Sequence, residues 1–423
     1  QATGLFLHIT ENLPGLYAGG MFFGVNLVIA RALNHPAFRY NSVVFETDAG
    51  PWMTILASPA SDAINRAVHP LALIIARPLM RLLGMFMGEY WNLSALLVVA
   101  FLSGLCVYMA WLFIKRATGV KSYAFIFAIF LGSTSTHLLF GSLTENYVFG
   151  MTSLIFFFLL IQSGETRLSR LVPVGVIVFG ITVTNLAQTA IGLFFNKLGF
   201  WKVVRYCFLV LTLGVTLTVL TSVVYPKKLT FFFVPADLSF ERNFVKPTRQ
   251  SPLASAKEKL QVLTRTMFLY QVVAPEPLVV ISQKKSDPFP TVDLKTFDSR
   301  EHKLASYKDF ANIPLGMWLM LLAGAFLALW KNIRASKHRP LLMGLLGSLG
   351  FNFLMHLAYG TELFLYTPYW VYALVFLVGL AYSEFAGKRW FESLLAGFIV
   401  ILMINNLWFI FVVLRALAPF FAA

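Results

Sequence analysis

Apolar runs of about 18 to 25 residues recur along this chain, each long enough to cross a hydrocarbon core of about 30 Å as a helix. Inside lipid every backbone N–H and C=O has to be paired within its own segment, so runs this long and this continuous are helical. A transmembrane barrel would need short segments alternating apolar and polar residues. Only 13% of the residues are charged, against roughly a quarter in a soluble domain. The fold class is therefore all-α, polytopic and membrane-integral, with roughly 9 to 12 transmembrane helices.

Spans are expected near 13–33, 93–114, 121–139, 146–162, 206–225, 312–330, 340–358, 368–387 and 393–416. The first of these is followed by more membrane, so it reads as a helix that stays rather than a cleaved leader. The net charge of +15 invites a nucleic-acid partner, but placement excludes one. Lys and Arg sit in short clusters between apolar runs, where cytoplasmic loops carry them. Cys106 and Cys207 both fall inside apolar runs, which argues against a disulfide framework or a metal knuckle.

Five basic clusters set the sidedness: Lys115, Arg116 and Lys121; Arg167 and Arg170; Lys197, Lys202 and Arg205; Lys331, Arg334, Lys337 and Arg339; Lys388 and Arg389. Placing all five in the cytoplasm constrains two ambiguous stretches. The first outer loop, 34–92, then begins and ends outside, so 69–88 lies along the outer interface or dips in and returns. Arg77 and Arg81 share a face of that helix and Pro78 interrupts it, as suits an interfacial element. The stretch 171–196 becomes a double crossing or a re-entrant pair of half-helices, with Thr184 and Asn185 near its outer turn. The chain divides into an N-terminal transmembrane module (1–225), an extracytoplasmic loop (226–311) and C-terminal transmembrane helices (312–423). Within the loop, Ala254 to Tyr270 reads as helical and Pro277 to Ser282 as a strand.

This topology gathers the remaining polar residues at one level. The first outer loop carries Glu46, Asp48, Asp62 and His69; the turn before 146 carries Glu145; the apex of 171–196 carries Asn185 and Gln188; the loop after 358 carries Glu362, Tyr366 and Tyr369. Ionisable groups at the membrane surface are costly and mark a cavity or a site. Each also has a plainer reading. Glu46, Glu145 and Glu362 could be solvated loop charges, and His69 could cap the helix that Pro70 starts. His137 and His356 read as core histidines, and Asn405 and Asn406 as interhelical hydrogen-bond formers. Asp48 stands out because it lies in Phe-Glu-Thr-Asp-Ala-Gly-Pro-Trp, where turn-forming and apolar neighbours return it to the membrane surface.

A first span, an outer loop with an acidic motif, interfacial helices, many further spans and a large late outer loop together resemble the GT-C superfamily of membrane glycosyltransferases. The resemblance covers the whole chain as topology and about five residues as motif. It implies a transferase that moves a sugar from a polyprenyl-phosphate donor at the extracytoplasmic face of the cytoplasmic membrane, with inversion at the anomeric carbon. It also implies that Asp48 or Glu46 is the base. Thr47 separates these two acids where the common pattern has them adjacent, and no Trp-Trp-Asp-Tyr-Gly motif is present, which argues against protein N-glycosylation.

Such a reaction needs a carboxylate to accept the acceptor's proton, and positive charge or a divalent metal ion where the phosphate departs. Arg77 and Arg81 are candidates for that phosphate, or else they snorkel to headgroups. His69, Glu145, Asn185, Glu362 and Tyr366 are candidates for substrate binding. Membrane lipids and the lipid-linked sugar are the expected partners. The rival readings are a transporter or lipid flippase, for which 171–196 supplies a broken helix pair, and a non-catalytic subunit that docks to a membrane complex through its large loop.

Overall fold

The computed structural model describes residues 2–34, 44–60, 66–225, 230–245, 247–248, 251–282 and 291–417, with side chains from residue 10 to 416. Asp62 lies outside the described residues. Six helices are long and apolar enough to cross a membrane: α1 (Ala2–Leu33), α4 (Asn92–Thr118), α10 (Phe200–Val224), α12 (Asn312–Asn332), α13 (Arg339–Ala358) and α15 (Arg389–Leu417). They coincide with six of the expected spans. The other three are shorter or broken. α5 (Lys121–Ser133) and α6 (Ser135–Phe140) are parted at Thr134, whose extended backbone leaves its hydroxyl free to cap the His137 N–H. α7 covers Tyr147–Gln162, and a 3₁₀ turn at Leu363–Tyr369 leads into α14 (Val371–Ala381) across a 55° bend.

Both ambiguous stretches are helical. α3 (Ala72–Met87) presents Leu79, Leu82, Met85 and Phe86 outward and follows the short α2 (Ala49–Ala57). The stretch 171–196 is two short helices, α8 (Leu168–Ile181) and α9 (Asn185–Phe195), parted where Thr182 turns extended.

α4 is the spine of the bundle. It packs along α1, where Gly19 and Gly104 face each other so closely that a Cβ on either would strike the other's carbonyl. It ends at Gly119, whose positive φ lets its N–H reach the Lys115 carbonyl at 2.7 Å.

The five basic clusters collect at one end of the bundle. Lys115 reaches Asn12 Oδ1 at 3.4 Å, and Arg116 reaches the Leu159 carbonyl at 3.5 Å. Ser122 donates to Glu392, and Asn196 donates to the Pro340 carbonyl at 3.5 Å. Trp201, Trp330 and Trp390 are all exposed beside those clusters, as aromatic anchors at a membrane interface are. The opposite ends of the same helices meet elsewhere: Leu33 of α1, Trp91 before α4 and the turn 142–144 line one cleft. The structure thus separates a basic end from an end rich in acids and tyrosines.

The described residues of 226–311 lie at this second end. α11 (Pro252–Arg265) starts at Ser251 with Pro252 in its first turn, and a π-helical turn extends it to Tyr270. β1 (Leu278–Ser282) pairs antiparallel with β2 (Thr291–Lys295), and the two-residue strands β3 (Phe297–Asp298) and β4 (Lys303–Leu304) follow. Ahead of β1, Thr266–Ala274 dives into the bundle. Ser135 N–H donates to the Val272 carbonyl at 3.2 Å and Thr136 N–H to Gln271 at 3.2 Å, so the buried chain pairs at the break between α5 and α6. Asn406 completes the accounting, accepting from Ala274 N–H at 2.8 Å and donating to the Ser133 and Val272 carbonyls at 2.7 Å. The expected interhelical role of Asn405 and Asn406 is thereby corrected in part. Their partners include the backbone of the inserted loop at Val272 and Ala274.

Candidate functional site

The site is built on the motif Val44-Phe45-Glu46-Thr47-Asp48. Phe45 N–H donates to the Leu294 carbonyl at 2.8 Å, and the Phe45 ring packs between Phe364 and Phe409. Phe45 and Glu46 both adopt positive φ, 52° and 57°, a conformation that non-glycine residues hold only where the surroundings impose it. The tight turn aims the two acids in different directions. Glu46 accepts from the Thr361 hydroxyl at 2.5 Å. Asp48 sits at the N-terminus of α2 without capping it; its carboxylate instead forms an ion pair with Arg66 at 2.5 Å and stays partly exposed.

Arg66 was not among the residues the sequence singled out. It is a lone basic residue 18 positions from Asp48, and only the turn of α2 brings the two together. It lies also 5.9 Å from the centre of the Trp52 ring. Burial opposes its charge, but Asp48 and Glu145 outweigh burial and hold the guanidinium firmly protonated.

Glu145, on the turn between α6 and α7, lies behind Asp48 and accepts its backbone N–H. The Glu145 side chain is buried. Burial and the Asp48 charge push its carboxyl up to about 8, against the pull of the Asp48 N–H and Arg66. The pair therefore joins a partly exposed carboxylate held by Arg66 to a buried carboxyl that keeps its proton near neutrality. Glu362 is also buried, pushed up to about 7 by burial and by Glu46 although Thr296 and Phe364 N–H groups donate to it.

These shifts have a consequence for stability. Glu145 keeps its proton to about pH 8 when folded, against an ordinary value of 4.5. The folded chain binds more protons through that window, so stability falls as pH rises from about 5 to about 8. Glu362 adds the same sign up to about 7. Thermal midpoints in detergent should therefore fall between pH 7 and 8 for the wild type and stay level for Glu145→Gln. An unchanged slope in that variant would contradict the assignment.

His69 does not cap α3. Its Nδ1 lies 2.7 Å from the Ile181 carbonyl and 2.6 Å from Asn146 Nδ2, and its ring meets Trp52 edge-on. Burial pulls its basicity down to about 4, so it is a neutral hydrogen-bonding wedge between α2, α7 and α8. Thr182 joins it, lying 2.7 Å from the Tyr369 hydroxyl. Two of the bundle's breaks, at 182–184 and at 370, thus meet in one hydrogen bond. Tyr147, Tyr366 and Tyr369 pack beside it, and Tyr366 lies on the His356 ring at 4.5 Å. Tyr359, at the edge of this aromatic group, donates to Glu241 at 2.5 Å. Asn185 is buried one turn deeper, accepting from Gln188 at 3.0 Å.

The structure so brings Glu46, Asp48, His69, Glu145, Glu362 and Tyr366 into one layer, with Asn185 beneath it. Arg77 and Arg81 do not join them. Arg77 is buried, donates to the Ile55 carbonyl and lies 5.6 Å from the Tyr225 ring centre, while Arg81 is exposed on α3. His137 sits in the core against Ser103, with Nε2 3.1 Å from its carbonyl. Among the described residues no group of three or more His, Cys, Asp or Glu is arranged to hold a metal ion. The carboxylates instead engage Arg66, Thr361, Thr296 and backbone N–H groups.

Beside Asp48 a cleft of about 110 Å³ opens between the C-terminal end of α1, α2, the N-terminal end of α4 and the turn 142–144. Fold and site together define a polytopic helical membrane protein with a half-exposed Asp–Arg pair beside a cleft at its acidic end. No protein-family model and no curated protein matches the chain.

Proposed function

We propose that this chain is a membrane glycosyltransferase that takes a sugar from a polyprenyl-phosphate donor at the extracytoplasmic face, with Asp48 as its base. The observation that carries the reading is the Asp48 carboxylate: partly exposed, paired with Arg66 and next in the chain to Ala49, which lines a cleft. In the reaction the acceptor oxygen attacks the anomeric carbon, its proton passes to Asp48, and the bond to the carrier phosphate breaks with its electron pair on the phosphate oxygen. Arg66 takes the role first considered for Arg77 and Arg81, a cation near the developing phosphate charge. Glu145 keeps the Asp48 backbone in place and, by holding a proton, adds no second negative charge next to the base.

The extracytoplasmic placement of the site rests on the basic end being cytoplasmic. Ser299 is exposed in the segment 291–311. In a background with Cys106 and Cys207 replaced by Ala, Ser299→Cys should be labelled in intact cells by an impermeant thiol reagent. Labelling only after lysis would invert the topology.

A transporter is the second reading, favoured by the meeting of two helix breaks at Thr182 and Tyr369, since discontinuous helices build transporter sites. The glycosyltransferase is preferred because the Asp48–Arg66 pair lies at one end of the bundle, near a cleft. The decisive assay follows sugar from labelled polyprenyl-phosphate donors into a new covalent product, with Asp48→Asn as the negative control.

A further inference from the structure

A second, larger groove runs between α4 and α7, with α3 and α8 completing its lining, and encloses about 600 Å³, within the range of ligand sites. Its α4 wall extends from Leu102 to Arg116 and its α7 wall from Phe149 to Ser163. At about 1.5 Å of rise per residue, each wall is about 21 Å long. The hydrocarbon of one leaflet is about 15 Å deep, so the groove accepts an extended acyl chain. Its lining is mostly apolar, and hydroxyls within it are already used. Thr152 donates to the Val148 carbonyl at 2.7 Å and Ser153 to the Gly150 carbonyl at 2.9 Å.

The charged residue in the lining is Arg116, which closes the groove at the basic end of the bundle. It is exposed and donates to the Leu159 carbonyl at 3.5 Å. Among the described residues it pairs with no carboxylate. Just beyond Ser163, Arg167 and Arg170 share Glu165 at 3.0 and 2.8 Å, so this mouth holds more cations than its acid answers. A guanidinium at the edge of an apolar groove suits a phosphate, which it meets through paired hydrogen bonds. Basic pockets between spanning helices on the cytoplasmic side select anionic headgroups for that reason. We infer that the groove holds an anionic phospholipid from the leaflet at the basic end, with its phosphate on Arg116 and one acyl chain between α4 and α7, directed toward Ile181. A zwitterionic lipid would bring its own cation toward Arg167 and Arg170, and a soluble anion would leave the apolar walls uncovered. The Ile181 carbonyl is also the partner of His69, so the chain braces α8 beneath the acidic layer. The inference is independent of the transferase reading.

The test uses the full-length protein, stripped of lipid in a non-ionic detergent. Native mass spectrometry follows how much phosphatidylglycerol or phosphatidylcholine stays bound as each is added. Phosphatidylglycerol should bind roughly fivefold more tightly. Arg116→Gln should weaken it about tenfold, the loss expected for one charge-assisted hydrogen bond, and Arg116→Lys should restore most of the binding. Arg205→Gln removes an exposed cation at the same end but outside the groove, and it should leave binding unchanged. Ile177→Trp fills the groove without touching Arg116 and should also weaken binding, which keeps the inference testable should Arg116→Gln fail to fold. Phosphatidylglycerol with a diazirine midway along one chain should label peptides within 149–163 and 174–181. Equal affinity for the two lipids, equal losses in Arg116→Gln and Arg205→Gln, or label spread evenly over the lipid-facing helices would overturn the site.

Discussion

Replacing Asp48 by Asn is expected to lower sugar transfer by about 10² to 10⁴-fold while leaving expression and the detergent elution profile unchanged, because that is the range by which a positioned general base accelerates such steps. The amide matches the carboxylate in shape, so the turn that holds it, with Trp52 N–H donating to the Asp48 carbonyl at 2.9 Å, can stay as it is. What changes is charge. Arg66 loses its ion-pair partner, and Glu145 loses the neighbour that helps push its carboxyl upward, so Glu145 should release its proton at lower pH. The variant should therefore be inactive yet folded, with a shifted pH profile for stability. Glu46→Gln is the matched control. Its carboxylate accepts from Thr361 and has no contact with Arg66, and its effect should be much smaller. Full activity in both variants would remove the first outer loop from the chemistry altogether.

The largest effect on stability is expected at Asn406. Its side chain answers three buried backbone groups, Ala274 N–H and the Ser133 and Val272 carbonyls, at 2.7 to 2.8 Å. Asn406→Leu fits the volume but takes this partner from Ala274 N–H and the Ser133 carbonyl and leaves the Val272 carbonyl only Ser135 N–H, at a cost of about 2–4 kcal/mol once each group's desolvation is counted and discounted for the modest worth of polar contacts in membrane proteins. Thermal unfolding in detergent should fall by several degrees. Asn405→Leu removes one 3.1 Å bond to the Ala274 carbonyl and the bond to Asn406 and should cost about 1 kcal/mol. The reverse order would mean that the segment 266–274 is not anchored as described. Since that segment pairs with the break between α5 and α6, the Asn406 variant should also expose 266–274 to hydrogen exchange.

The spans were the most legible part of the sequence because lipid leaves a long apolar run only one conformation. Six of them appear at the expected positions, and 171–196 is a pair of short helices, as a double crossing or re-entrant pair would require. The strand at 278–282 and the helix before 270 also showed in the local pattern. What did not show were features made by long-range pairing. Thr134 breaks a helix because 272 and 271 supply backbone partners there, and nothing within 121–139 announces that. Leu363–Tyr369 bends for a similar reason, its Tyr369 committed to Thr182.

The site was legible as chemistry but not as geometry. Glu46, Asp48, Glu145 and Glu362 could be chosen because charges are scarce in such a chain, and the structure does place them in one layer. Arg66 escaped notice because it has no basic neighbour and no helical partner, and its value comes only from the fold of α2. Arg77 misled for the opposite reason. Its i, i+4 relation to Arg81 is real, but α3 packs against α2 with residue 77 inward, so the paired face does not exist as a surface.

The central claim is tested most directly by reconstituting the purified protein in liposomes with a radiolabelled polyprenyl-phosphate sugar and a membrane extract as the source of acceptor, then separating donor, product and vesicle leaflets. It predicts that label leaves the polyprenyl fraction and appears in a new covalent product, and that Asp48→Asn abolishes this. Label recovered wholly as intact donor, moved from one leaflet to the other, would contradict the transferase and establish a lipid transporter in its place.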